Sequence, residues 1–473
     1  MNIHPAVKEA AAIFAGAGKQ VYLVGGAVRD ILRGKKAKDW DLATDARPEE
    51  VIALFHKKDV RGEKQKSFVV PTGIKHGTVT VHFKGISIEV TTFRSESAYS
   101  DGRHPDSVEF GSSIEEDLSR RDFTMNAAAY KFPSGPIVDP FDGRKDIKFR
   151  IIRTVGRPEE RFSEDGLRPV RALRFASQLG FTVDEKLLAA IPASLSLTAK
   201  VAAERLRDEL DKIIASGKPS TALLLMEKTG LLQLLIPELA ACRGIKQDRA
   251  HGIGFHRYDV LDHSLLACDY ASGKAFTGKA APSQFTHSSR CLAALFHDIG
   301  KPVTTQTDKD GVRTFYGHEK ESALLARAIL QRFRYPNVVT DTVCHLVEEH
   351  MFHYEESWTD SAVRRFIVRA GEEHLADLFA LRRADAYGMA AVEPPPRFLA
   401  PLERRIEETL KANRALSLKD LSISGKDLIA LGVTPGKHIG IILAELLEAV
   451  LDDPALNTRE KLLEIAGKLN QRY

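Results

Sequence analysis

Cysteine is scarce in this chain. Only Cys242, Cys268, Cys291 and Cys344 occur in 473 residues, and no pair has Cys-x-x-Cys spacing. That argues against a disulfide framework and a cysteine zinc site, and leaves reduced, buried side chains as the expectation. No uninterrupted apolar run reaches membrane-spanning length. Charge and glycine interrupt the opening MNIHPAVKEAAAIFAGAGKQ where a signal peptide would keep an apolar core. A cytoplasmic protein with no membrane partner is therefore expected. No internal repeat or low-complexity tract appears. The net charge of +4 is too small to demand a nucleic-acid partner or to exclude one. With 43% hydrophobic and 28% charged residues, the composition is ordinary for a globular protein, and the length suits three or so structural units at roughly 100–200 residues each.

The rest of the chain is organised around residues 21–44. Val21–Val24 reads as a buried strand that breaks at Gly25-Gly26 and continues as a short helix, Ala27–Leu32, carrying Arg29. A basic turn, Gly34–Lys38, then delivers Asp39-Trp40-Asp41. Glycine lets backbone N–H groups approach a phosphate, and the following helix start adds partial positive charge. Two aspartates at i and i+2 on a strand point the same way, and paired carboxylates suit Mg²⁺ with substrate phosphates. Taken singly, the glycine pair is a tight turn and the aspartate pair a solvated one. Together, LVGGAVRD and DWDLAT resemble the G-G…D-x-D signature of polymerase-beta-like nucleotidyltransferases. The resemblance is to their class II tRNA nucleotidyltransferase and bacterial poly(A) polymerase branch.

Downstream, a helix is expected over Arg47–Phe55. Strands are expected at Phe68–Val70, Gly77–Phe83 and Ile86–Thr92, the last two forming a hairpin at Lys84-Gly85. Alternation puts Glu89 on the polar face of its strand; the resemblance implies a third carboxylate there, beside Asp39 and Asp41. The polar stretch 93–110 resembles the loop that helps CCA-adding enzymes switch from CTP to ATP. Residues 114–130 read as helical. Their cluster Arg120-Arg121-Asp122 with Asn126 is, on the resemblance, a nucleotide-binding element with Gly25, Gly26 and Arg29. From Ile152 the chain turns helical. Ser163 is a candidate N-cap, and Asp165 and Arg168 at i, i+3 would share a helix face. Glu164, Asp165 and Arg168 match the family's E-D-x-x-R motif, which implies that Asp165 and Arg168 read the incoming base, with Arg171 in the same nucleotide-binding set. Gly166 and Pro169 are poor helix residues, so the helix is expected to be kinked or to begin late. Two amphipathic helices are expected within 201–240.

Residues 251–353 form a different module. His297-Asp298 follows the apolar Leu292–Phe296, with His263 upstream. Imidazoles with a carboxylate suit a divalent transition metal that activates water against a phosphoester. The pattern resembles HD-superfamily phosphohydrolases. His263, His297 and Asp298 match directly; the resemblance implies that His318 and His350 would supply a second metal or bind substrate, and Asp385 is the candidate for the closing aspartate. Mn²⁺, Ni²⁺ or Co²⁺ would fit. A scaffold that only holds RNA is the alternative. The prolines at 394–396 mark a bend before a helix at Pro401–Ala412, and Gly432–Gly440 opens a tail helix resembling the tRNA-holding end of the same enzymes.

The resemblance implies an α/β head with a polymerase-beta-like mixed sheet (1–150). An all-α neck and body (151–245), an HD module (246–390) and a tRNA-binding tail (391–473) would follow. It further implies addition of CMP and AMP from CTP and ATP to a tRNA 3′ end, with pyrophosphate released and Mg²⁺ held by Asp39 and Asp41. No obligatory protein partner is expected. The alternatives are a poly(A) polymerase, a CC- or A-adding enzyme, an HD phosphohydrolase with a vestigial head, and a non-catalytic RNA-binding protein.

Overall fold

Helix α1 (Pro5–Gly16) leads into β1 (Val21–Val24), whose residues are all buried. The computed structural model describes residues 2–56, 67–74, 77–96, 108–110, 113–247, 257–273, 287–309, 313–395, 397–412 and 416–472. After β1 come α2 (Gly26–Leu32), β2 (Asp41–Thr44), α3 (Pro48–His56), β3 (Ser67–Gly73), β4 (Thr78–Phe83) and β5 (Ile86–Thr92). The pair β6 (Arg94–Glu96) and β7 (Val108–Phe110) precedes α4 (Ile114–Ser119), β8 (Ala129–Lys131), β9 (Ile137–Val138) and α5 (Gly143–Phe149). Then α6 (Pro158–Glu164) and α7 (Arg168–Leu179) begin the helical part.

The seven-stranded sheet has the order β3-β4-β5-β2-β1-β8-β9. Only β2 and β5 run parallel; the other neighbours are antiparallel. The head is thus a mixed α/β sheet. Val21 and Leu23 of β1 enter one apolar cluster with α1 and α3, while Tyr22 and Val24 enter another with Leu118 and Phe93. A strand buried on both faces reads as a continuous apolar run, which is why VYLV shows no alternation. Lys84 and Gly85 both have positive φ, the backbone that a two-residue hairpin turn between β4 and β5 demands.

Three expectations about the helices change. Residues 114–130 are not one helix: α4 stops at Ser119, a 3₁₀ turn covers Thr124–Asn126, and β8 pairs with β1. Sheet pairing beside β1 overrides the helical preference of the alanines there. Ser163 lies inside α6, where its hydroxyl donates to the Glu160 carbonyl instead of capping. Asp165 and Arg168 do not share a helix face, because Asp165 is the C-cap of α6 and Arg168 opens α7. The break has a packing cause. A Cβ on Gly166 would sit 2.6 Å from the Leu197 carbonyl oxygen. Pro169 is accommodated in the first turn of α7, where its missing N–H costs nothing.

Helices Ala203–Ile214 and Pro219–Lys228 follow as expected, with two short ones, Leu231–Leu235 and Pro237–Ala240. The chain divides into two units, Met1–Ala240 and Ala241–Tyr473. In the second, Val260–Ser272, His287–Phe296, His318–Arg332, Asn337–Glu349 and Leu375–Ala390 pack together. The tail has its own core, in which Lys437–Asp452 packs on Arg459–Asn470. All four cysteines are free and buried. Among the described residues no helix is long and apolar enough to cross a membrane.

Candidate functional site

Two strand ends and one turn converge in the head. β1 ends at Val24, β2 begins at Asp41, and Asp41 stands directly opposite Glu89 in the parallel register. Asp41 shares its face with Ala43, and Glu89 lies between the buried Ile88 and Val90. Both carboxylates therefore leave the sheet on the face away from α1 and α3. Asp39 is not on the strand. It sits exposed in the bend before β2, yet lines the same cavity. Gly25 has φ +70, and a Cβ there would stand 3.0 Å from Asp41 Oδ2. Only glycine permits that approach. Gly26 has no positive φ and meets only the end of the Arg29 side chain, so its steric requirement is weaker. Burial, then the neighbouring Glu89, pushes the Asp41 carboxyl up to about 6, although Arg121 opposes the rise.

The same cavity is also lined by basic side chains. Arg120 Nη2 and Arg121 Nη2 donate to the two oxygens of the fully buried Asp117, at 2.6 and 3.0 Å. Asp122 Oδ2 accepts from Arg171 Nε and Nη2 at 2.9 and 2.6 Å, and its Oδ1 accepts from Asn126 Nδ2 at 3.3 Å. Burial alone would raise the Asp122 carboxyl, but the Arg171 guanidinium holds it below the usual range. Asn126 Oδ1 in turn accepts from Arg29 Nη1 at 2.9 Å. The chain Arg171–Asp122–Asn126–Arg29 therefore fixes two guanidinium groups in the lining of a cavity of about 580 Å³. Every residue expected in the head site lines that cavity: Gly25, Gly26, Arg29, Asp39, Asp41, Glu89, Arg120, Arg121, Asp122, Asn126, Asp165, Arg168 and Arg171.

Asp165 and Arg168 reach the cavity separately. Asp165 Oδ2 accepts from Arg205 at 2.7 Å and its Oδ1 from the Leu167 N–H at 3.0 Å. Arg168 pairs with Glu164 and donates to the carbonyls of Arg161 and Arg120. Sequence reasoning missed Asp117, Arg205 and Phe175, whose ring lies under Arg29 and Arg174. The i+3 and i+4 spacing from Asp117 to Arg120 and Arg121 was a usable signal; nothing local announces Arg205. The expected nucleotide-switching loop lies mostly at 97–107, outside the described residues; its flanks pair as β6 and β7.

The second unit holds another cluster. His263, His297, Asp298, His318, His350 and Asp385 are all buried and face one centre. His263 Nε2 lies 2.9 Å from His297 Nε2, 3.1 Å from Asp298 Oδ2 and 3.3 Å from Asp385 Oδ1. His318 Nε2 is 3.2 Å and His350 Nε2 3.8 Å from Asp298 Oδ1. The Nδ1 atoms of His297, His318 and His350 meet the carbonyls of Ala294, Phe315 and Val347 at 2.9, 2.8 and 2.6 Å. A carbonyl only accepts, so each Nδ1 carries a proton and each Nε2 faces the centre. Lys301 Nζ donates to Asp298 at 2.6 Å, and Arg382 pairs with Asp385. Burial would lower the His297 imidazole, but Asp298 beside it raises it to about 10. His251, where this module was expected to begin, lies outside the described residues.

Residues 21–153 match the family described as poly A polymerase head domain, and 180–243 match the probable RNA and SrmB-binding site of polymerase A. Residues 315–466 match a putative tRNA nucleotidyltransferase domain 2. A CCA-adding enzyme of Levilactobacillus brevis is 32% identical over 447 residues, which is 94% of this chain and 93% of that one. The chain belongs to the CCA-adding enzyme family. A second family member, from Geobacillus kaustophilus, is 48% identical over 224 residues, about half of each chain (47% and 52%). The crystal structure of the Bacillus stearothermophilus CCA-adding enzyme in complex with CTP aligns over 99% of both chains, with a TM-score of 0.71 and 29% identity. The Thermotoga maritima CCA-adding enzyme, solved with tRNA, shares the fold at a TM-score of 0.56 and 20% identity.

Proposed function

We propose that the head adds CMP and AMP from CTP and ATP to the 3′ end of tRNA, completing C-C-A. The observation that carries this is the register of Asp41 against Glu89 beside the Gly25 turn, in one cavity lined by hydrogen-bonded arginines. The tRNA 3′-hydroxyl oxygen bonds to the α-phosphorus, and its proton passes to a carboxylate of the Asp41–Glu89 pair and on to water. The bond to the bridging α–β oxygen breaks, and its electrons leave with pyrophosphate. Asp41, Asp39 and Glu89 are the donor set for Mg²⁺, which when bound neutralises phosphate charge and acidifies the attacking hydroxyl. Burial, with the Glu89 carboxylate next in weight, raises Asp41, and that cost fits a site built around a cation. Arg29, Arg120, Arg121 and Arg171 bind the triphosphate, held in place by Asn126, Asp117 and Asp122.

Base selection falls to Asp165 and Arg168. The Asp165 carboxylate, oriented by Arg205, retains lone pairs for the exocyclic amino group shared by cytosine and adenine. Arg168 donates to the ring acceptor beside it. Uracil and guanine present the reverse pattern, which leaves buried polar groups unpaired at about 1–3 kcal/mol each. The test supplies the purified protein with tRNAs ending at the discriminator base, C or CC, gives each nucleotide separately, and sequences the ends. Addition of A alone, or of a long A tract, would replace this reading with one of the narrower polymerases.

A second reading rests on the other unit. We propose that it is an HD-type module whose His263, His297, Asp298 and Asp385 hold a divalent metal, with His318 and His350 beside them. Asp298 Oδ1 and His318 Nε2 are buried 3.2 Å apart without an aligned hydrogen bond, a pairing that would suit two ligand atoms turned toward a shared cation. A bound Mn²⁺, Ni²⁺ or Co²⁺ supplies a nucleophilic water for phosphoester hydrolysis. Metal content of the purified protein and of His297→Ala/Asp298→Ala tests the site independently of turnover. Equal content in both would refute it.

A further inference from the structure

Beyond the catalytic cavity, the head carries a second and larger recess of about 870 Å³. Its rim is formed by the turn after α2, by α5 and by the residue after α5. Lys35, Arg144, Lys145, Lys148 and Arg150 stand around it, all exposed. None of these five side chains has a hydrogen-bond or ion-pair partner among the described residues. The acidic side is nearly spent. Asp139 uses both oxygens on the Gly143 and Arg144 N–H groups at 2.7 and 2.9 Å, which leaves Asp142 as the one uncommitted carboxylate in the lining. The floor is apolar, made by Leu32, Ile147, Leu179 and the buried Phe181, with Arg33 over the Phe181 ring. Phe149 stands 60% exposed among the cations.

The position is as informative as the charge. Helix α2 places Arg29 in the catalytic cavity and Leu32 in this recess, and α7 does the same with Phe175 and Leu179. At about 1.5 Å per residue, three or four residues put the two cavities about one helical turn apart. We propose that this recess docks the phosphodiester backbone of the RNA substrate outside the catalytic cavity, with Phe149 offering a stacking face. The proposal rests on the reading of the head as an RNA-modifying enzyme. A polyanion fits better than a single nucleotide. The free cations are spread around an open rim, four along α5 and its C-terminal end and Lys35 on the turn after α2, whereas a mononucleotide site would converge buried donors on one point.

The test uses the full chain carrying Lys145→Ala, Lys148→Ala and Arg150→Ala, three exposed changes outside the catalytic cavity. tRNA affinity is measured by fluorescence anisotropy at 50 and 200 mM KCl, with KM for tRNA and for CTP in parallel. Each phosphate contact makes the fourfold salt step cost about threefold in affinity. Losing three contacts should therefore flatten the salt response roughly 30-fold, raise Kd and KM for tRNA, and leave KM for CTP unchanged. An unchanged tRNA Kd and salt slope would overturn the proposal. A raised CTP KM with unchanged tRNA binding would overturn it too, in favour of a mononucleotide subsite. Because binding is read without turnover, weakened RNA affinity in the variant, together with a wild type that adds no nucleotide, would uphold the surface while refuting the reaction. Normal addition with RNA binding intact in the variant would refute the surface alone.

Discussion

Replacing Asp41 with asparagine should destroy activity and stabilise the metal-free protein. Burial and the Glu89 carboxylate raise the Asp41 pKa from 3.8 to about 6 in the folded chain. Between those values the folded state holds more protons than the unfolded state. Stability therefore falls as pH rises through that window, and the penalty is complete above about pH 6. About two pKa units at 1.36 kcal/mol each give ~3 kcal/mol as an upper figure; partial exposure reduces it to ~2 kcal/mol. The asparagine side chain keeps the shape of the aspartate without its charge. For a unit the size of Met1–Ala240, ~2 kcal/mol corresponds to a Tm increase of about 4–8 °C. Differential scanning calorimetry in EDTA at pH 7.5 should show that increase for Asp41→Asn. The difference should shrink as pH falls toward 4, and Mg²⁺ should raise the Tm of the wild type but not of the variant. A Tm at or below wild type in EDTA at pH 7.5 would refute the carboxylate-crowding argument.

Other variants probe separate parts of the site. Gly25→Ala should cut kcat by one to two orders of magnitude with tRNA affinity retained, because its Cβ meets Asp41 Oδ2 at 3.0 Å with φ +70; unchanged kcat would show that the close approach is dispensable. Asp117→Ala leaves Arg120 and Arg121 without their buried partner and should cost about 3–5 kcal/mol in urea unfolding, with KM for CTP raised. Asp165→Ala should shrink the kcat/KM advantage of CTP and ATP over UTP and GTP. Arg205→Ala should do the same more weakly, and Arg205→Lys should recover part of it; identical ratios in all three would mean the base is read elsewhere. Gly388→Ala would push a Cβ to 2.9 Å from His263 Nδ1, so it should lower the bound metal content of the second unit without altering nucleotide addition.

Much of the head was legible because its signals are local. The apolar run Val21–Val24, the break at Gly25, the alternation that puts Glu89 opposite in facing to Ile88 and Val90, and the hairpin at Lys84-Gly85 each depend on a few adjacent residues. Local reasoning failed where long-range pairing won. Residues 129–131 carry helix-forming alanine but complete the sheet against β1. Asp165 and Arg168 have helical spacing, yet Gly166 must pass the Leu197 backbone, so the chain breaks between them.

The sequence by itself determined which side chains exist at each step of a strand or helix, and so which types of chemistry were on offer: paired carboxylates, clustered guanidiniums, imidazoles beside an aspartate. Only the tertiary structure decided how those groups divide their hydrogen bonds. It spent both oxygens of Asp117 on two arginines, gave Asp165 to Arg205 forty residues away, and brought His263 and Asp385 together across separate helices. Periodicity assigns a residue to a face, but an element does not specify what packs against that face. That is settled when burying the apolar faces forces remote elements together and every polar group carried inside must find a partner.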